Sequence, residues 1–137
     1  MLKALADRLT ESLAEYVHKK VRKELWGYSK NENLDNQELI KEKYIGIRPA
    51  PGYPACPDHS EKIKLFSLLK AEKNTGISLT ENFAMLPAAS ISGWYFSHPE
   101  SKYFGLGKIS LEQVERISID RNEEISITRK YLSTNLE

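Results

Sequence analysis

The residues of this chain best suited to chemistry lie in one segment, Gly46-Ile47-Arg48-Pro49-Ala50-Pro51-Gly52-Tyr53-Pro54-Ala55-Cys56-Pro57. Four prolines and two glycines in twelve positions exclude a helix or an inner strand and make the loop stiff before any ligand arrives. Pro51-Gly52 suits a tight turn in which Gly52 takes a positive φ and lets a ligand approach the main chain closely. Arg48 offers a planar fork that matches a carboxylate, and Tyr53 offers a hydroxyl and a flat face. A rigid turn with a guanidinium, main-chain carbonyls and an aromatic ring fits a small zwitterion bearing a flat heterocycle. The same residues would serve a structural turn whose arginine caps a helix C-terminus, and chemistry alone does not separate the two.

Other candidates carry less. Cys56 is near His59 in sequence, and such a pair can lower a thiol pKa. A cysteine hydrolase would lack its third orienting group, so a small packed residue in a tight loop is the simpler reading. His18, His59 and His98 show no paired zinc spacing, and no glycine-rich phosphate loop is present. His18 reads as a surface or boundary residue, and the run His18-Lys19-Lys20-Val21-Arg22-Lys23 as a solvated basic face. Asp7 and Glu11, at i and i+4, point the same way from one helix, where a solvated face is again the simpler reading. Trp94-Tyr95-Phe96 and Tyr103-Phe104 read mainly as core.

The elements that must position these residues follow from periodicity. Residues 2–26 predict one long amphipathic helix, with Leu2, Leu5, Leu9, Leu13, Tyr16, Val17, Val21 and Leu25 as its apolar face and Gly27 as its stop. Capping boxes at Asp35/Glu38, Asp58/Glu61 and Ser110/Gln113 predict helices over about 36–44, 59–73 and 111–121. Thr75-Gly76 ends the second of these, and a last short helix covers 124–132. Between 78 and 107 the pattern turns to strand, with runs at 83–86, 89–98 and 103–107. Short antiparallel strands with helices segregated around them make the fold α+β.

The chain has 137 residues and a net charge of +1, from twenty Lys and Arg against nineteen Asp and Glu. That is one domain with no electrostatic reason to bind nucleic acid or an anionic membrane. The single cysteine argues for a reducing compartment, and the absence of a signal-like start or a membrane-spanning apolar run argues for a cytoplasmic location.

The 46–59 segment, ending Cys-Pro-Asp-His, resembles the hallmark of the activation (reactivation) domain of cobalamin-dependent methionine synthase. So do Lys3-Ala4-Leu5-Ala6-Asp7-Arg8-Leu9, Trp26-Gly27-Tyr28, Asn31-Glu32-Asn33-Leu34, Ser92-Gly93-Trp94-Tyr95-Phe96-Ser97-His98-Pro99 and Ser101-Lys102-Tyr103-Phe104. The resemblance runs through nearly the whole chain.

It implies a C-shaped α+β domain that binds S-adenosylmethionine in a shallow groove. It also implies a role in methionine biosynthesis: the domain docks over oxidised cobalamin so that a methyl group, with one electron from flavodoxin or a diflavin reductase, restores methylcobalamin. By the same resemblance Arg48 would hold the carboxylate of the ligand, and Pro49, Ala50 and Gly52 would line its groove. Tyr103 and Phe104 would form the second contacting segment. Tyr53 and Glu11 would face the cobalamin, and Asp7 the module that carries it, while Glu42 and His59 would support these residues from behind. The family domain is longer, and this chain resembles its C-terminal part. The N-terminal part holds an acid for the ligand's amino group. Its absence implies an uncovered edge or apolar face that favours self-association or pairing with another chain. The chain is not a complete methyltransferase, since it has no cobalamin-ligating histidine motif and no substrate barrel. The other reading is a ligand-free docking or oligomerisation module that keeps only the fold.

Overall fold

The computed structural model describes residues 1–137. Helix α1, Leu2–Lys20, runs on through a π-helical turn, Val21–Leu25, in which Trp26 and Gly27 both donate to the Val21 carbonyl at 3.0 and 3.1 Å. Gly27 then stops it with a φ of 73°. A reciprocal capping box at Asp35/Glu38 opens α2, Asn36–Ile40, which is shorter than expected because Glu42 turns left-handed. Helices α3, Glu61–Leu69, and α4, Ala71–Thr75, replace the single helix expected over 59–73, since Lys70 adopts φ 48° and ψ 44° between them. Gly76, at φ 74°, ends α4. Strands β1, Ser78–Leu79, and β2, Met85–Leu86, form a two-stranded antiparallel sheet. Ser110/Gln113 is a complete capping box for α5, Leu111–Arg121, and α6, Ile125–Tyr131, follows. The architecture is α+β, helix-rich, with a long N-terminal helix and a small antiparallel sheet. No helix is long and apolar enough to cross a membrane.

Three local expectations need correction. Asp58 does not form a capping box with Glu61. It accepts from the Ser60 N–H at 2.8 Å and pairs with Arg121 at 2.5 Å, while Glu61 takes the other arm of Arg121 at 2.7 Å. The two acids therefore tie the start of α3 to the end of α5. Residues 89–98 and 103–107 are not regular strands. They run beside the Pro-rich segment, which lacks N–H donors at Pro49, Pro51 and Pro54, so only the isolated Ile47–Phe96 bridge forms.

The third correction concerns α1. The apolar face read as core is open: Leu2, Leu5, Leu9, Leu13 and Tyr16 are 56–82% exposed. At the C-terminal end of the helix the opposite face is inside, with His18 and Arg22 fully buried; Val21, read on the apolar face, is buried there too, while Glu11, one heptad before His18, is exposed. At about 100° per residue the leucine stripe centres about 180° from His18. The basic run is thus not a solvated face, and His18 is not a surface residue. A separate apolar cluster of Ile109, Val114 and Leu132, with Ile117 and Leu136 against it, joins α5 and α6.

Candidate functional site

The Pro-Gly segment is held against the chain at 92–96. Ile47 and Phe96 exchange two backbone bonds at 2.9 and 3.0 Å, and Trp94 N–H donates to the Pro49 carbonyl at 3.0 Å. Gly93 permits this approach, because a Cβ there would stand 2.5 Å from the Pro49 oxygen. A second strap comes from Tyr103, whose hydroxyl accepts the Arg48 N–H at 3.0 Å, and from Leu106, whose N–H reaches the Pro54 carbonyl at 3.4 Å. Two sequence-distant candidates, Arg48 and Tyr103, are thereby brought together.

The turn Ala50–Tyr53 closes with Tyr53 N–H on the Ala50 carbonyl at 3.4 Å. Pro51 and Gly52 occupy its corners, and Gly52 has the positive φ, 96°, that a type II turn demands. The close approach at Gly52 is made by the His59 ring of the chain itself, and a Cβ would fall well inside it. Replacing Gly52 by valine should therefore destabilise by roughly 1–3 kcal/mol or more, from backbone strain plus displacement of His59. Ala50→Gly should cost less, about 1 kcal/mol or below. Equal melting temperatures for the two variants would contradict the turn.

Arg48 points its Nη1 into a polar cluster built by α1. That nitrogen lies 2.7 Å from Glu15 Oε2, 2.8 Å from the Tyr44 hydroxyl and 3.2 Å from His18 Nδ1. Nε and Nη2 take no part in these bonds, and 27% of the side chain remains exposed. The guanidinium meets side chains, not a helix C-terminus, which removes the capping role. Its partner Glu15 also lies 3.7 Å from Arg22. Arg22, fully buried, donates through Nε and Nη2 to both oxygens of Glu32 at 2.7 and 2.9 Å, and its guanidinium sits 3.9 Å from the centre of the Tyr44 ring.

Burial, together with the charges of Arg22 and Arg48, pulls the His18 imidazole down to about 3. It is therefore neutral and can accept from Arg48 through Nδ1. That tautomer carries its proton on Nε2, 3.4 Å from the Tyr28 hydroxyl. The ring is fixed by stacking on Tyr95 and by an edge contact with Tyr44, both at 4.9 Å between centroids. Burial also pushes the Tyr44 hydroxyl up to about 12, so it remains protonated. Because the unfolded chain takes up a proton at His18 near 6.5 and the folded chain does not until about 3, stability is complete above pH 6.5 and falls as pH drops toward 3. The slope from this one group is at most about 1.4 kcal/mol per pH unit. Urea titrations across that window should show a flatter profile for His18→Gln than for the parent, and parallel profiles would refute the assignment.

Phe104 is 57% exposed beside Tyr103, and Tyr53 is 66% exposed at the turn. Glu11 is exposed and bonded to Arg8 at 3.3 Å, and Asp7 is half-buried one turn earlier on α1. The side chains of Asp7, Glu11 and Tyr53 make no bond to Arg48 or Tyr103. Glu42 is exposed at the end of α2, and its charge acts on the Tyr44 hydroxyl. His59 turns Nδ1 to the buried Lys62 amine at 2.6 Å and not to Cys56, while burial and the charges of Glu61 and Asp58 push the Cys56 thiol up. Neither condition for a reactive cysteine is met. A cleft of about 540 Å3 opens between the turn and the chain's C-terminal region, with Gly52, Tyr53, His59, Phe83 and Tyr131 on its walls, and Arg48 is not among them. The residues missed from sequence are Glu15, His18, Arg22, Tyr44 and Tyr95. The i, i+3, i+7 relation of Glu15, His18 and Arg22 is the signal that puts the first three on one face.

Two comparisons bear on this arrangement. Residues 1–122 match the model of a family described as vitamin B12 dependent methionine synthase, activation domain. A crystal structure of the MetH reactivation domain bound to AdoHcy superimposes with a TM-score of 0.97 at 57% sequence identity, over 99% of this chain. This chain spans 42% of the length of that one.

Proposed function

Since the chain belongs to the activation-domain family of vitamin B12-dependent methionine synthase, we propose that it binds S-adenosylmethionine and holds the methyl donor for reductive remethylation of cobalamin. It acts as the C-terminal part of a longer domain. The observation that carries this reading is the half-used fork of Arg48: one nitrogen is fixed inward by Glu15, Tyr44 and His18, and two are left to meet a carboxylate beside the Tyr103 hydroxyl. The similar reactivation domain is bound to AdoHcy, a nucleoside with the same amino-acid tail.

In this reading Arg48 holds the carboxylate of the ligand, and Pro49, Ala50 and Gly52 present main chain to it. The Pro49 and Ala50 carbonyls each keep a lone pair after their internal bonds to Trp94 and Tyr53. Tyr103 and Phe104 close the second side. Tyr53 and Glu11, both exposed, face the cobalamin, and Asp7 contacts the module that carries it. Glu42 and His59 act indirectly, through Tyr44 and the Gly52 turn. Cobalamin belongs to that partner module, and an electron from flavodoxin or a diflavin reductase, with one methyl group from the sulfonium, converts cob(II)alamin to methylcobalamin and leaves S-adenosylhomocysteine. No side chain of this chain needs to act as acid or base; its contribution is position. The place of action is the cytoplasm, and the activity supported is that of a methyltransferase of methionine biosynthesis.

Isothermal titration with S-adenosylmethionine tests the proposal. Saturable heats with one site support it. Flat heats from a folded chain would favour a docking module without ligand.

A further inference from the structure

Tyr44 touches Glu15, His18, Arg22 and Arg48 alike. Its hydroxyl accepts from Arg48 Nη1 at 2.8 Å and donates to Glu15 Oε2 at 3.4 Å. The Arg22 guanidinium carbon sits 3.9 Å over the centre of its ring, and His18 meets that ring edge-on at 4.9 Å. Tyr44 is itself buried. The three acceptors around Arg48 Nη1 come from two parts of the fold: Glu15 and His18 from α1, and Tyr44 from the chain after α2. Acceptors on α1 alone would let the guanidinium pivot against that helix. A third, from a separate segment, fixes its plane.

The fixed plane decides which edge of Arg48 is left. Nη1 carries two hydrogens for these three acceptors, so it has none to spare. A carboxylate can then take two parallel bonds only along the Nε/Nη2 edge. Arg22, in the same cluster, has that edge in use: its Nε and Nη2 bond both oxygens of Glu32 at 2.7 and 2.9 Å. We propose that Tyr44 is a positioning residue for ligand selectivity. Acting through Arg48, its hydroxyl holds the Nε/Nη2 edge toward the ligand and makes the site prefer an S-adenosyl ligand that carries a carboxylate over one that lacks it. This inference rests on the ligand reading above. A role as filler over Arg22 would belong to the ring and not to the hydroxyl.

Tyr44→Phe keeps the ring over Arg22 and removes only the hydroxyl, so melting should confirm a folded chain. Parent and variant are titrated in a calorimeter with S-adenosylmethionine and with its decarboxylated analogue, which keeps the nucleoside, the sulfonium and the amine. S-adenosylmethionine should bind the variant about three- to tenfold more weakly, the equivalent of one hydrogen bond. The analogue should bind it within about twofold of the parent. In an Arg48→Lys background, where no fork remains to be aimed, Tyr44→Phe should weaken S-adenosylmethionine no further. Losses that add in that background, or equal weakening toward both ligands, would show a general structural role and overturn the proposal. A parent with flat heats rejects the ligand reading itself, and this role with it. A parent that binds S-adenosylmethionine beside a Tyr44→Phe that binds it equally well rejects the role of Tyr44 alone.

Discussion

Replacing Arg48 by lysine should lower S-adenosylmethionine affinity by about ten- to a hundredfold, the equivalent of one charge-assisted, bidentate contact. The reason is division of labour within one side chain. Nη1 is committed to Glu15 at 2.7 Å, so a ligand carboxylate must be met by the nitrogens that remain. A lysine has one nitrogen at its tip and cannot serve both. Lysine keeps the positive charge that Glu15 requires, so the melting temperature should fall only a little. Arg48→Ala should abolish binding too, but it leaves Glu15 without that partner and mixes stability with affinity. The informative pair is therefore calorimetric affinity and melting temperature for Arg48→Lys. Affinity within twofold of the parent would mean that the fork does not hold the ligand.

Much of this site's frame was legible because its signals are local. The Asp35/Glu38 and Ser110/Gln113 boxes formed as their spacing required, and Gly27, Gly52 and Gly76 each took the positive φ their positions called for. The Asp58/Glu61 box has the same spacing and failed, because Arg121, sixty residues away, claims both carboxylates. Local rules cannot see such a competitor. The inversion of α1 has a related cause. Helical amphipathicity says which side seeks cover, and the usual inference that cover comes from the same segment does not hold for a chain this exposed. Once the leucines are discounted as core, His18 and Arg22 become the inner face by default. The strand assignments over 89–98 and 103–107 read extension correctly and pairing incorrectly, since prolines on the opposing segment withhold the donors a ladder needs.

The same buried face supports the largest stability effect expected. Arg22→Met should destabilise the chain by about 3–5 kcal/mol, because it strands the Glu32 carboxylate and not because a salt bridge is intrinsically strong. Glu32, with its side chain 5% exposed, receives both of its side-chain bonds from Arg22. Glu15 loses its neighbour at 3.7 Å. Methionine fills much of the volume over Tyr44 but offers no donor. Against a total stability of roughly 5–15 kcal/mol this is about a fifth or more, so the variant should melt well below the parent. Arg22→Met/Glu32→Gln removes one stranded charge and should recover part of the loss, which separates the penalty of an unpaired carboxylate from the loss of packing. Ligand affinity should follow the same order, because Glu15 is shared with Arg48 and a Glu15 freed from Arg22 no longer holds that fork in place. A single variant that loses less than about 1 kcal/mol would show that solvent reaches Glu32, and the polar face of α1 would then be surface after all.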